Sequence, residues 1–178
     1  WTAEAANALA AVMKAWAAVA NISFTKTTNT ENANLWYWLG GDQDFDNGTL
    51  AWHELPTGFT APPLYGSFNT DGDTWSSAAL KPGGSAYYTI LHELGHGLGL
   101  EHPHETGNAF PGVTSEFFDY GDGDQNQGIF TVMSYNDGWQ TAPKANRTPA
   151  SVTSYGYQAG PMALDIAGLH REAQRAYI

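Results

Sequence analysis

The residues best suited to chemistry lie in one short stretch, His92-Glu93-x-x-His96-x-x-Gly99-x-x-His102. On an α-helix, His92 and His96 are four positions apart and project from the same face, so both imidazoles can reach one metal ion. Gly99 tolerates a positive φ, which lets the helix end and brings His102 back toward the same ion. The spacing therefore predicts a metal site with three nitrogen ligands.

Three neutral imidazoles suit zinc, and a catalytic zinc site keeps three protein ligands and leaves a position for water. The ion keeps its double charge and lowers the pKa of that water toward about 7. Glu93 stands beside the ligands as the general base, which takes a proton during attack and passes it to the departing amine. A structural zinc site usually has four ligands and often uses cysteine, which this chain lacks. The motif predicts hydrolysis of a peptide bond by a zinc-bound water.

Two other histidine positions compete with this reading. His104 follows closely, but the placement of Gly99 midway favours His102 as the third ligand and leaves His104 to support the site or lie at the surface. His53-Glu54 repeats the start of the motif, but Pro56 would disrupt a helix there, so we interpret the pair as a decoy.

Composition limits the classes of partner. The chain has 178 residues, enough for a single domain with a proper core, and no run of apolar residues is long enough to span a membrane. Its net charge of −11 disfavours nucleic acid and anionic membranes as partners. The absence of cysteine excludes disulfides and is compatible with bacterial secretion.

The negative charge has two readings, a well-solvated surface or a calcium requirement. Asp42, Asp44 and Asp46 have the spacing of half an EF-hand loop, but the glycine and glutamate that complete such a loop are missing, which favours a solvated turn. A second acidic cluster spans residues 119–126, where calcium is the alternative to an ordinary loop.

Hydrophobic periodicity predicts an α+β fold. Thr2 is a plausible N-cap for an amphipathic first helix that ends by residue 21. Strands are predicted at residues 22–27, 34–39, 49–56 and 64–69. The active-site helix should begin near Ser85 or Ala86, a loop-rich region should follow from Pro103, and a last helix should begin at Pro161.

Here the sequence resembles the metzincin zinc endopeptidases, and among them the serralysins. Besides the zinc motif, Val132-Met133-Ser-Tyr135 is similar to the family's Met-turn. The resemblance implies that Met133 forms a hydrophobic floor beneath the metal. It also implies that Tyr135 is both a zinc ligand and a residue that swings away to stabilise the tetrahedral intermediate.

For the fold, the resemblance implies one protease catalytic domain over residues 1–178, with an upper part of about 1–98 and a lower part of about 99–178. A twisted mixed sheet of about four to five strands, an N-terminal helix, the active-site helix and a C-terminal helix would make up this domain. The family's calcium-binding β-roll repeats are not in this sequence, so it is either a catalytic fragment or a stand-alone relative.

For function, the resemblance implies a secreted, monomeric zinc endopeptidase. An extended protein or peptide substrate would pair with the strand at residues 49–55 and fill a specificity pocket built from residues 133–139. A proteinaceous inhibitor or a pro-segment is a further candidate partner, and calcium a second candidate ion. The alternatives are a non-catalytic binding module, disfavoured by the intact Glu93 and histidines, and a hydrolase of another amide or ester.

Overall fold

Three α-helices and one small β-sheet make up the main regular structure of this computed structural model. It describes residues 1–46, 48–56, 63–71, 73–136 and 152–175, without the side chains of residues 73 and 171–175. In chain order the elements are α1 (Ala3–Ala17), β1 (Leu35–Gly40), β2 (Ala51–His53), β3 (Leu64–Asn69), α2 (Ser85–Gly97) and α3 (Ala163–Arg175). Short 3₁₀ turns lie at Thr30–Asn32, Asp42–Asp44 and Asp73–Trp75. The order and the mixed sheet confirm the predicted α+β class.

The sheet has the strand order β1-β3-β2, with β1 parallel and β2 antiparallel to the central strand β3. Three strands are present in the described residues, instead of about four to five. The prediction of a strand at residues 22–27 was wrong, because that backbone pairs with no strand among the residues that the structure describes. Ile22 and Phe24 do pack against the core. The alternation of apolar residues therefore correctly indicated which side chains face the core, but it did not indicate a backbone paired in a sheet.

Helix α1 packs against the active-site helix. The Thr2 hydroxyl accepts a hydrogen bond from the Ala5 amide at 3.1 Å, which confirms the predicted N-cap. The fully buried Trp16 donates from Nε1 to the carbonyl of Leu91 at 3.2 Å. This bond joins α1 to the middle of α2 and fixes how far one helix is displaced along the axis of the other.

Helix α2 begins at Ser85, as predicted, and is the most buried element of the structure. It is enclosed by α1, the sheet and the chain that follows it, so almost every one of its side chains has a protein neighbour. Between α2 and α3 the described residues form turns and bends, which matches the loop-rich lower half expected from composition. No helix in the described ranges combines the length and apolarity that a bilayer crossing needs.

Candidate active site

Three imidazoles converge at the end of α2. His92 and His96 project from the helix, and His102 returns after the turn at Gly99, whose φ is +98°. Nε2 of His102 lies 3.1 Å from Nε2 of His92 and 3.0 Å from Nε2 of His96. Among the residues that the structure describes, this is the only group of three or more His, Asp or Glu whose ligand atoms lie within 4.8 Å of one another.

Backbone carbonyls fix the orientation of two of the rings. Nδ1 of His92 donates to the carbonyl of Val132, and Nδ1 of His96 to that of Leu100, each at 2.7 Å. Because a carbonyl accepts only, the proton of each neutral ring is on Nδ1 and the Nε2 lone pairs point inward. Two ligands of a tetrahedral zinc with bonds of about 2.0–2.1 Å are roughly 3.3 Å apart, close to the distances observed. The donor set therefore fits zinc.

The surroundings keep these imidazoles neutral. Burial lowers the pKa of His96 to about 4, and burial together with the neighbouring His96 and His104 lowers the pKa of His102 to about 3. Burial and the other imidazoles also hold the pKa of His92 well below its ordinary value. Since a metal binds the deprotonated ring, the three side chains are ready to bind an ion at neutral pH without losing a proton.

Glu93 follows the first ligand on the helix and is only 6% exposed. Its Oε2 atom is buried without a hydrogen-bond partner in the described part of the chain. Burial raises the pKa of this carboxyl to about 8, because water no longer solvates the ionised form. A buried carboxyl oxygen without a partner is costly, so this atom has capacity for a ligand that the folded chain does not itself supply.

The Met-turn residues lie directly beneath the histidines. A Cβ atom built on Gly95, between the two helical ligands, would come within 2.6 Å of the sulfur of Met133, so Met133 packs closely against this glycine and would have to shift if a larger residue replaced it. The Tyr88 hydroxyl on α2 donates to the carbonyls of Val132 at 3.0 Å and Ser134 at 2.9 Å. The helix and the Met-turn are therefore joined both by packing and by hydrogen bonds.

Tyr135 borders the same space from the loop side. Its ring centroid is 4.7 Å from that of His102 and 5.7 Å from that of His92, and 39% of the residue is exposed. Phe117 stacks on it at 5.5 Å. Burial and then the nearby Glu93 raise the pKa of the phenol to about 12. At neutral pH the hydroxyl of the metal-free protein keeps its proton and can donate a hydrogen bond.

Asp165 supports the site and had no role in the sequence-based prediction. This buried carboxylate, on the first turn of α3, accepts hydrogen bonds from the Thr131 hydroxyl at 2.6 Å, the Val132 amide at 3.0 Å and the Met162 amide at 2.7 Å. The bond from the Met162 amide caps the start of α3. An acidic residue in the first turn of a helix can be recognised in the sequence, but the hydrogen bonds of Asp165 to the Met-turn cannot.

The remaining predicted candidates lie outside the imidazole group. The ring of His104 is parallel to that of His102, with centroids 4.9 Å apart. His53 lies on β2 and not on a helix. The pocket predicted at residues 133–139 falls partly outside the described residues.

The two acidic clusters serve the loops that contain them. Asp42 accepts from the Asn69 amide side chain at 2.8 Å, and both carboxylate oxygens of Asp119 accept bonds from its own loop. Those bonds lower the pKa of Asp119. Asn126 is fully buried and donates to the Asp119 carbonyl at 2.7 Å. The calcium prediction stays a prediction at both places.

Comparison with known proteins agrees with this geometry. The matrixin family model matches residues 2–115. The chain is 31% identical to a serralysin of Photorhabdus luminescens over 81% of its own length, and 31% identical to serralysin C of Dickeya chrysanthemi over 89%. In both cases it spans only 31% of the relative's length. By its zinc motif, its fold and these similarities, the chain belongs to the matrixin family of peptidases and is serralysin-like within it.

Proposed function

We propose that this chain is the catalytic domain of a zinc-dependent endopeptidase. One observation carries the proposal: Nε2 of His102 faces Nε2 of His92 at 3.1 Å and Nε2 of His96 at 3.0 Å, and the next residue after His92 is Glu93, whose buried Oε2 lacks a partner among the described residues. A core packed for stability alone would avoid both features, because facing lone pairs repel and an unpaired carboxyl is costly. Similarity to the serralysins supports the same conclusion.

The proposed roles of the individual residues are supported by the zinc motif and by the grouping of these side chains around the three imidazoles. Zinc held by His92, His96 and His102 would supply Lewis-acid chemistry, polarising the scissile carbonyl and lowering the pKa of water. Glu93 takes a proton from the attacking water and returns it to the departing amine nitrogen. Tyr135 would serve as a further zinc ligand in the resting site, and its hydroxyl would donate a hydrogen bond to the oxyanion as charge develops there.

The substrate is proposed to be an extended peptide that pairs with β2. This strand lies at an edge of the described sheet and bonds to β3 alone there, which supports β-augmentation along residues 49–55. The half-exposed Tyr135, beside His102, is proposed as the lower border of the same cleft. Residues 133–136 are proposed as the described part of the specificity pocket.

The wider assignments are proposals as well. They are a single catalytic domain with an upper part before about residue 98 and a lower part after it, a secreted monomer, and calcium as an additional ion. A pro-segment or a protein inhibitor that reaches the metal would bind along the same cleft. Each of these follows from the serralysin resemblance.

A casein digestion assay with and without a zinc chelator, combined with metal analysis, tests the function directly. We expect one zinc per chain and activity that the chelator removes. Glu93→Ala should retain zinc and lose proteolysis by about 10³-fold or more, because the proton acceptor is gone. Glu31→Ala, an exposed glutamate distant in sequence, is the control. Full activity in Glu93→Ala would overturn the mechanism, and an inert, metal-free parent would favour a binding module.

A further inference from the structure

The side chain of His53 lies between the sheet and the metal-binding helix. A Cβ atom on Gly66 of β3 would come within 2.6 Å of His53 Cδ2. On the other side, a Cβ atom on Gly97 of α2 would come within 2.6 Å of Cε1 and 2.7 Å of Nε2. The imidazole therefore fills a slot whose two walls are open only because both residues are glycine.

Hydrogen bonds at both nitrogens fix the ring in this slot. Nδ1 is 2.6 Å from the carbonyl of Glu54, and Nε2 is 3.0 Å from the hydroxyl of Tyr37. A neutral ring with its proton on Nδ1 satisfies both contacts, donating to the carbonyl and accepting from the phenol. Tyr37 is in turn stacked on the fully buried Phe68, with ring centroids 5.8 Å apart. The ring thus has a defined position and orientation.

This slot is adjacent to the metal site. Gly97 directly follows the ligand His96, and Gly99 forms the turn that leads to His102. Pro56, just after β2, has its Cγ 3.6 Å from where a Cβ of Gly99 would lie. His53 of β2 therefore lies against Gly97 at the end of α2, and Pro56, beyond the strand, lies near Gly99; both glycines are between the ligands His96 and His102.

We propose that His53 is a positioning residue that sets the spacing between strand β2 and the metal-binding end of α2. The inference rests on the proposed function, since it assigns meaning to both the zinc ligands and the edge strand. If the ring sets this spacing, adding bulk at Gly97 pushes His96 and β2 apart, whereas removing the ring makes room for that bulk.

A double-mutant cycle tests the spacing role. Gly97→Ala should weaken zinc affinity at least tenfold, measured by competition with a chromogenic chelator, because supporting residues commonly change metal affinity by about 10–100-fold. In the His53→Ala background the same substitution should change affinity less than about threefold, since the methyl group occupies emptied space. Gly160→Ala, where nothing lies within 4 Å of the added Cβ, is the control.

A second readout separates positioning from general weakening. We expect His53→Ala to lower kcat/KM more for a peptide long enough to pair with β2 than for a minimal substrate, whereas a loss of folded enzyme lowers both equally. Equal effects of Gly97→Ala in both backgrounds, or an unchanged ratio between the two peptides, would overturn the proposal. If Gly97→Ala fails to fold, His53→Ala must rescue it; two unfolded variants would equally overturn the inference.

The failure of the proposed function is distinguishable from these results. A parent chain that binds no zinc contradicts the endopeptidase proposal. The cycle measured by thermal unfolding of the metal-free protein then still decides whether the His53 ring competes with a side chain at Gly97.

Discussion

Helix α2 and the loop around the Met-turn place their functional side chains by different physical means. In the helix, the 3.6-residue repeat brings His92 and His96 onto one face, and tertiary contacts need only orient the rings. In the loop no repeat operates, and Tyr135 depends on side chains from several distant segments. The contrast shows that metal binding is encoded locally in this fold, whereas the position of the phenol depends on the lower half as a whole.

The loop side is held by a network of buried polar groups. Ser134 donates to the Asn126 side chain at 2.7 Å and accepts from the Asn136 amide at 3.0 Å. The Asn136 side chain donates to the Asn126 carbonyl at 3.1 Å, and its oxygen accepts from the Phe118 amide at 2.7 Å. The residues on both sides of Tyr135 are therefore anchored while its ring stays partly exposed. Such a network holds its geometry only while every member is paired.

Removing a helical ligand should have the largest effect. His96→Ala is expected to abolish proteolysis and zinc binding at neutral pH, because two imidazoles cannot hold the ion as three do. The fold should persist, since alanine is a better helix former than histidine. Zinc stoichiometry and far-UV circular dichroism check both halves of this prediction. A variant that still bound zinc tightly would show that the helix is not the main source of metal affinity.

Removing the anchor of the Met-turn should act on stability first. Asp165→Ala leaves three donors without their acceptor, two of them buried, so the free energy of unfolding should fall by about 3 kcal/mol. Because the ligands lie on α2 and the turn after it, zinc should still bind to the folded fraction. Denaturant unfolding and metal analysis test this, with the exposed Asp46→Ala as a control expected to change stability by less than about 0.5 kcal/mol.

Removing the hydroxyl group of Tyr135 should lower the rate of turnover. Tyr135→Phe is expected to lower kcat by about 10²-fold, as for loss of a single oxyanion donor, with zinc content unchanged. Since the hydroxyl is not part of the buried network, the unfolding midpoint should move little. An unchanged kcat would mean that Tyr135 only packs against its neighbours, and that the Met-turn loop contributes no group to catalysis.

The smallest predicted effect concerns pH and the metal-free protein. The pKa of Glu93 is raised to about 8, so between pH 6.5 and 8 the folded state keeps a proton that the unfolded state has lost. The contribution of Glu93 to the free energy of unfolding should therefore fall as pH rises, by at most about 1.4 kcal/mol per pH unit, or roughly 2 kcal/mol across this window. Glu93→Gln should lack this slope. The lowered pKa values of His53, His92, His96 and His102 add an opposite slope up to about pH 7.5, so the Glu93 contribution is measured as the difference between the parent and Glu93→Gln. Identical slopes in both proteins would contradict the assignment.

The sequence predicted the metal-binding residues of α2 and of the turn after it better than the residues that hold the neighbouring loop in place. The spacing of three histidines and one glycine is a local pattern, so the imidazole group and the bounds of α2 could be anticipated. Asp165 and Asn126 could not, because each finds its partner across a loop whose path no periodicity describes. The same limit explains residues 22–27, where alternation correctly marked Ile22 and Phe24 as core-facing but could not show that the backbone lacks a pairing strand.

The short span of the metal ligands has a consequence for the order of folding. His92 and His102 are ten residues apart, whereas the hydrogen bond from Thr131 to Asp165 spans 34. An ion bound to the histidines closes only a small loop, at low cost in chain entropy, and can do so before the lower half assembles. We therefore expect zinc uptake to precede closure of the Met-turn by Asp165 during refolding, which stopped-flow refolding with and without zinc would test.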